Sequence, residues 1–336
     1  MAKRRSYPRK GKRKPLNWPL ILAAAVLVSA FLIVRLSLGS EMFHYLPDLE
    51  ETRAAFSSLW NLLISPSGQP NKEAVSTGDL TGSTAQVHFI DVGQGDSILI
   101  RCDGADILID AGENNQGETV NAYLDQLGIE NLDLVIGTHP HSDHIGGLDL
   151  VLSKHPVEQI ILPQLPESLI PTTRTFEDLL YAIGQQNLSV TPAVPGNCYE
   201  FGEGKLEILG PTGTYEDLNN YSVVCQFTYG EISFLLTGDM EQEAEQDLLD
   251  CGADLSADIL KLGHHGSSTS TGSAFLKTVS PSACVIEVGE GNSYNHPHAE
   301  TIQRVEEAGC SIFRTDLDGN ILIETDGKNW AVSTEK

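Results

Sequence analysis

The chain has 336 residues, 40% of them hydrophobic and 20% charged, and a formal net charge of −25. All 46 acids follow residue 40 while nine of the 21 basic residues precede it, so twelve cations face 46 acids and the remainder carries −34. That charge argues against a tight, processive nuclease, because nucleic-acid affinity comes from neutralising phosphates; a small phosphodiester, a polymer contact screened by salt or recruitment by a partner stays open.

In chain order, residues 1–14 carry Lys3, Arg4, Arg5, Arg9, Lys10, Lys12, Arg13 and Lys14 and no acid. Trp18 to Leu38 is nearly all apolar, with Arg35 its one charge, and 21 residues suffice to cross a bilayer. A basic flank before this run and an acidic chain after it place the N-terminus inside and the bulk of the chain outside, with the basic tail on anionic lipid. Secretion after cleavage of a signal peptide is the rival reading, but the run is long for a signal and no small-x-small cleavage site follows a short core. The pattern predicts a basic cytoplasmic tail over 1–17, one transmembrane helix over 18–38, a juxtamembrane segment and stalk over 39–85, and one domain over 86–332. Apolar residues from Phe43 to Leu63 suggest a short helix interrupted by Pro47. Residues 65–85, rich in Ser, Gly, Thr, Asn and Pro, read as a flexible stalk.

From residue 86 short apolar runs alternate with helical stretches at 119–127, 176–185, 241–251 and 298–308, an α/β signature in a segment long enough to bury one core. Gly93-Gln94-Gly95 lacks the pattern of a phosphate loop and reads as a turn between two strands that leaves Gln94 and Asp96 near any site formed there. The run Ile107 to Asp110 is a strand ending in a carboxylate, followed by Gly112. Leu132 to Thr138 is a buried strand, and it delivers the most informative residues of the chain: His139, His141, Asp143 and His144, four potential metal ligands within six positions. Imidazole and carboxylate donors suit Zn²⁺ and similar borderline divalent ions. One ion cannot easily use all four from so short a segment, so the spacing suggests two ions sharing one loop. Two later strands, Ile232 to Asp239 and Ala257 to His265, end in an acid and in a histidine pair. Four strand ends thus carry Asp110, the His/Asp cluster, Asp239 and His264/His265, the place where α/β folds put their chemistry.

These motifs, with Phe89 to Ser97, Asn219-Asn220-Tyr221-Ser222, His264-His265-Gly266-Ser267-Ser268 and Asn295-His296-Pro297-His298, resemble those of metallo-β-lactamase-fold hydrolases. Within that superfamily they are similar to the metal-binding domain of ComEC-type DNA-uptake (competence) proteins and their stand-alone relatives. The resemblance spans about Gln86 to Val332. It implies an αββα sandwich, two mixed sheets face to face with helices outside and metals at one edge. It implies His139 and His141 as ligands of a first ion, Asp143, His144 and His264 as ligands of a second, and Asp239 as the carboxylate bridging both. Asp110 and Asp96 would support the ligands from behind. The superfamily's third histidine for the first ion is replaced here by the Asn219-Asn220 pair, so that Asn220 would coordinate through its carbonyl, hold a water, or be a plain loop former.

The ligand set implies two divalent ions, Zn²⁺ or alternatively Mn²⁺, which lower the pKa of water toward ~7 and can clamp the oxygens of an in-line displacement. Asp143, His265 and His296 are the candidate catalytic residues, and Gln94, Ser267 and His298 candidates to contact substrate. The leading expectation is a membrane-anchored, outward-facing phosphodiesterase or nuclease. The alternatives are hydrolysis of a cell-envelope phosphoester or a lactone-type ester, and a non-catalytic metal-binding envelope or DNA-uptake module. The six cysteines lack metal-ligand spacing and read as buried free thiols rather than a zinc ribbon.

Overall fold

A computed structural model describes residues 84–336 together with Leu80 and Gly82. The basic tail, the predicted span at 18–38 and nearly all of the stalk lie outside the described residues. No helix among the described residues is long and apolar enough to cross a membrane.

Fifteen strands form two sheets among the described residues. The first holds β1 (Ala85–Phe89), β2 (Ile98–Cys102), β3 (Ala105–Ile109), β4 (Leu132–Ile136), β5 (Val157–Leu162), β6 (Val190–Pro192), β14 (Ile321–Thr325) and β15 (Trp330–Thr334), in the order β15-β14-β1-β2-β3-β4-β5-β6. The second holds β7 (Cys198–Phe201), β8 (Gly204–Ile208), β9 (Cys225–Tyr229), β10 (Ile232–Leu236), β11 (Ile259–Lys261), β12 (Ala283–Ile286) and β13 (Ser311–Arg314), in the order β13-β12-β11-β10-β9-β8-β7. Both are mixed, as expected: β3, β4 and β5 run parallel, as do β10, β11 and β12, while the flanking hairpins are antiparallel.

Side-chain alternation explains the layering. Along β2, Ile98, Ile100 and Cys102 point between the sheets, where they join Phe89, Phe227, Phe234 and Phe313 in a single core. Leu99 points the other way and packs with the helices α1 (Gly117–Gln126), α3 (Leu148–Lys154) and α4 (Arg174–Gln185). On the far face of the second sheet, Leu235, Leu260 and Cys284 meet α5 (Gln242–Cys251), α6 (Ser273–Val279) and α7 (Ala299–Ala308). The result is the αββα order expected. Each buried Phe or Ile contributes roughly 1.5–3 kcal/mol of transfer free energy, so the inter-sheet layer dominates the rigidity of the scaffold.

The cysteines correct one expectation. All six are free, but only Cys102, Cys225 and Cys284 are buried; Cys198 and Cys251 are exposed. Cys198 lies on the edge strand β7 and Cys251 on the last turn of α5, both at the margin of the packed layers.

Candidate metal centre

The parallel strands end at one edge, and each hands over a polar side chain within three residues of its last residue. Asp110 follows β3, the His139 to His144 loop follows β4 and includes the one-turn helix α2 (Ser142–Ile145), Asp239 follows β10, and His264/His265 follow β11. Three of these positions have left-handed backbones that non-glycine residues adopt rarely: φ is 59° at Asp110, 49° at His264 and 52° at His265. Such strain costs of order 1–3 kcal/mol per residue and persists where the surroundings over-determine it. Gly95 is required for a different reason, since a Cβ there would come within 2.2 Å of the Asp143 carbonyl oxygen. That close approach lets the Asp96 amide donate to the same oxygen at 3.1 Å and seats the β1–β2 turn against the metal loop.

Asp110 is fully buried and organises the loop. Its Oδ1 accepts from the Thr138 amide at 2.8 Å, and its Oδ2 accepts from the Thr138 hydroxyl at 2.6 Å and faces His144 Nδ1 at 2.8 Å. With Nδ1 so engaged, His144 turns Nε2 toward Asp239 Oδ1, 3.2 Å away. His265 is held in the same manner: Nδ1 donates to the Glu287 carbonyl oxygen at 2.8 Å, leaving Nε2 at 3.3 Å from Asp143 Oδ2 and 3.5 Å from Asp239 Oδ2. An imidazole oriented by a carboxylate or carbonyl behind it is the arrangement that metal-ligating histidines use. His139 Nε2 lies 3.0 Å from His141 Nδ1 and 4.0 Å from Asp239 Oδ2. The Asp239 amide donates to Ser222 Oγ at 3.0 Å.

His264 is more exposed than His265. Its Nδ1 faces Glu241 Oε1 at 3.1 Å and its Nε2 lies 3.8 Å from Asp239 Oδ2. Asn220 is turned away from the cleft, with Oδ1 accepting from the Glu241 amide at 3.0 Å. Its neighbour Asn219 faces the cleft instead, nearly buried, with an Oδ1 that has no hydrogen-bond partner.

Beneath the ligands is a charge cluster that no sequence motif announced. Lys261, fully buried, places Nζ 2.7 Å from Asp96 Oδ2, and Glu287, also fully buried, accepts from the Ser97 amide at 2.9 Å. A buried cation of this kind is tolerated only when paired. Burial alone would raise the Asp96 pKa, but Lys261 and His144 outweigh it and hold the carboxyl below its ordinary range. Glu287 goes the opposite way, pushed well up by burial and by Asp96. Lys261 ends the apolar run Ile259-Leu260 and Glu287 ends Cys284-Val285-Ile286; a charge closing a buried strand was the signal available.

The donor set fits divalent ions. Asp96 Oδ1, His144 Nε2, Asp239 Oδ1 and His265 Nε2 are buried and have no hydrogen-bond partner, and these four residues can offer ligand atoms that all lie within 4.8 Å of one another. Leaving a buried polar atom unsatisfied costs about 1–3 kcal/mol, so four converging ones mark a place for a cation. The protonation pattern agrees. Burial lowers the His265 pKa, but Asp239, Asp143 and Asp96 outweigh it and bring it up to about 10. Burial likewise opposes charge on His144, yet Asp239, Asp96 and Asp110 hold it well above the usual imidazole range. The carboxylates thus attract positive charge into the site.

Above the centre opens a polar cleft of about 540 Å³, lined among others by Gln94, Asn114, Thr173, Thr175, Asn219, Tyr294 and His296, and, among the described residues, by no Lys or Arg. His296 is half buried; burial, then His264, His265 and His298, lowers it to about 4, leaving it neutral near pH 7. Two residues expected to contact substrate are engaged elsewhere. Ser267 is buried with Oγ 3.0 Å from Thr269 Oγ1, and His298 Nδ1 accepts from the Ser268 amide at 2.9 Å. Both stabilise the turn that carries His264 and His265 rather than lining the cleft.

A family model described as the metallo-beta-lactamase superfamily matches residues 90–286. The chain is 31% identical over 258 residues to "ComE operon protein 3" of Bacillus subtilis (71% of this chain, 33% of that protein). It is 32% identical over 238 residues to "Competence protein ComA" of Neisseria gonorrhoeae (70% and 31%), and 29% identical over 250 residues to "Recombination protein 2" of Haemophilus influenzae (73% and 29%). The chain therefore spans about a third of the length of these relatives.

Proposed function

The chain belongs to the metallo-β-lactamase superfamily, and on that premise we propose that it is a metal-dependent hydrolase acting on a phosphodiester. The observation that carries this reading is the convergence of four buried ligand atoms that make no well-formed hydrogen bond, beside a polar cleft that Asp239 and His265 line. In this reading Asp143, His144 and His265 would hold one ion and His139 and His141 another, and Asp239 would be available to both. His265 takes the place first expected for His264, because its Nε2 is 3.3 Å from Asp143 Oδ2. When bound, divalent ions here supply a Lewis acid that activates water and offsets charge developing on phosphoryl oxygens.

The protein's own residues do the rest. Asp110 and the Glu287 carbonyl fix the tautomers of His144 and His265. Lys261 keeps Asp96 anionic and directed at the centre. His264, backed by Glu241, and His296 face the cleft, where they contact the scissile group and exchange protons with it. Gln94, Asn114, Thr173 and Thr175 supply neutral hydrogen bonds to the substrate.

Similarity to competence proteins favours a nucleic-acid-derived diester and a role beside DNA uptake. The absence of any Lys or Arg among the described residues that line the cleft favours a second reading, hydrolysis of a small phosphoester or lactone-type ester. We further propose that the chain is anchored by residues 18–38 with its N-terminus inside and the hydrolase domain outside. The test of the chemistry is a screen of the metal-loaded chain against bis-p-nitrophenyl phosphate, single-stranded DNA and a lactone. Turnover of the diester supports the reading; turnover of the lactone alone replaces it with the acyl-hydrolase alternative.

A further inference from the structure

We propose that the domain seats a hydrocarbon chain of its substrate in an apolar pocket that adjoins the metal centre. The inference rests on the reading that the polar cleft holds the scissile ester, and it takes the small-ester form of that reading rather than the nucleic-acid one.

The pocket has a volume of about 280 Å³ and its walls include Leu162, Leu165, Ile170, Phe176, Leu180 and Val190. It meets the metal cleft at the ligand loop: Pro140 lines both cavities, and His139 lines the apolar one. One stretch of chain builds the other side of both. Thr173 and Thr175 face the cleft, while Phe176 and Leu180 face the pocket. An ester bound over Asp143 and Asp239 therefore has a polar berth at the reacting centre and an apolar one beside it.

The chemistry of the walls selects the occupant. Among the described residues no charged side chain lines the pocket, and His139, which the proposed function assigns to the metal centre, is the only polar side chain of its lining. The edges of a nucleobase would lose their hydrogen bonds there, at about 1–3 kcal/mol per unsatisfied group, whereas an alkyl chain loses nothing. Ile170, Leu180 and Val190 are 51%, 44% and 42% exposed, among the most exposed large hydrophobics of the described residues. Apolar surface left open beside a site is the mark of a place where apolar ligand surface is to be covered. The cation-free cleft and the charge of −34 beyond residue 40 add that the substrate is a compact amphiphile rather than a long polyanion.

The test measures binding, so that it does not depend on turnover. Methyl, butyl and hexyl phosphate are titrated calorimetrically into the metal-loaded full-length chain. Affinity is expected to rise about fourfold per added methylene until the pocket is filled. Ile170→Asp and Leu180→Asp, both at solvent-exposed positions, flatten the series while thermal melting confirms that they fold. Equal affinity for the three phosphates, or a chain-length slope that survives both substitutions, overturns the proposal. If hexyl phosphate binds more tightly than methyl phosphate but no diester or ester is hydrolysed, the hydrolase reading falls and the pocket stands. If bis-p-nitrophenyl phosphate is hydrolysed but the alkyl series is flat, the pocket falls and the hydrolase reading stands.

Discussion

Replacing Asp110 by Asn changes one atom and isolates the support behind the metal ligands. Asn tolerates the left-handed backbone at this position, where φ is 59°. Its oxygen can keep the Thr138 amide, which Asp110 Oδ1 holds at 2.8 Å. Its NH₂ group then stands where Oδ2 accepted from the Thr138 hydroxyl and faced His144 Nδ1 at 2.8 Å. The hydroxyl can rotate and accept. His144 cannot keep a proton on Nδ1 against the new donor, so the proton moves to Nε2, the atom that faces Asp239 Oδ1 at 3.2 Å and would bind the ion. Restoring the ligating tautomer means leaving one buried donor pair mismatched, at about 1–3 kcal/mol. That corresponds to a loss of roughly 10- to 100-fold in metal affinity, the range typical of removing a group behind a ligand. Competition against a chromophoric chelator reads this directly, with melting of the metal-free protein as a check on the fold. Affinity within twofold of the unmodified chain would refute the role given to Asp110.

Three other outcomes are expected. Asp143→Asn lowers turnover of bis-p-nitrophenyl phosphate by roughly a hundredfold or more while the fold persists, because an anionic ligand at the water-activating centre is lost; unchanged kcat removes Asp143 from the centre. His88, buried with Nδ1 3.0 Å from Tyr123 Oη, has its pKa lowered from 6.5 to about 4 by burial and by Arg101. The unfolded chain then binds the extra proton first, so the stability owed to neutral His88 is full above pH 6.5 and is lost as pH falls toward 4. The loss amounts to about 3 kcal/mol, and His88→Phe should remove it from the pH dependence of chelator-treated melting; an identical profile in both proteins contradicts the assignment. Finally, protease added to intact cells releases the hydrolase domain as a soluble fragment, and protection until lysis reverses the proposed orientation.

Much of this site is legible along the chain because its ligands follow the last residues of parallel strands. The His139 to His144 spacing and the acids at 110 and 239 sit where the apolar runs stop, and the fold superimposes those stops at one edge. The sequence does not say which of two adjacent histidines faces inward. His264 and His265 both have left-handed backbones, and partners distant in sequence turn each ring: the Glu287 carbonyl and Asp96 Oδ1 face His265 Nδ1, and the Glu241 carboxylate faces His264 Nδ1. The Asn219-Asn220 pair is ambiguous for the same reason: a short 3₁₀ turn at Leu218–Tyr221 turns Asn220 to the Glu241 amide and leaves Asn219 at the cleft. Ser267 and His298 are polar residues near a ligand motif that serve the turn itself. The apolar pocket has no local signature, because Gly137, Leu162, Phe176 and Val190 come together only when β4, β5, β6 and α4 pack.

The most direct test of the account is elemental analysis of the gently purified full-length chain, paired with turnover of bis-p-nitrophenyl phosphate before and after chelation. Two divalent ions per chain are expected, with both lost in Asp239→Ala, and diester hydrolysis should disappear with the chelator and return with added ion. A chain that retains no divalent ion, or that cleaves the diester equally well after chelation and in Asp239→Ala, contradicts it.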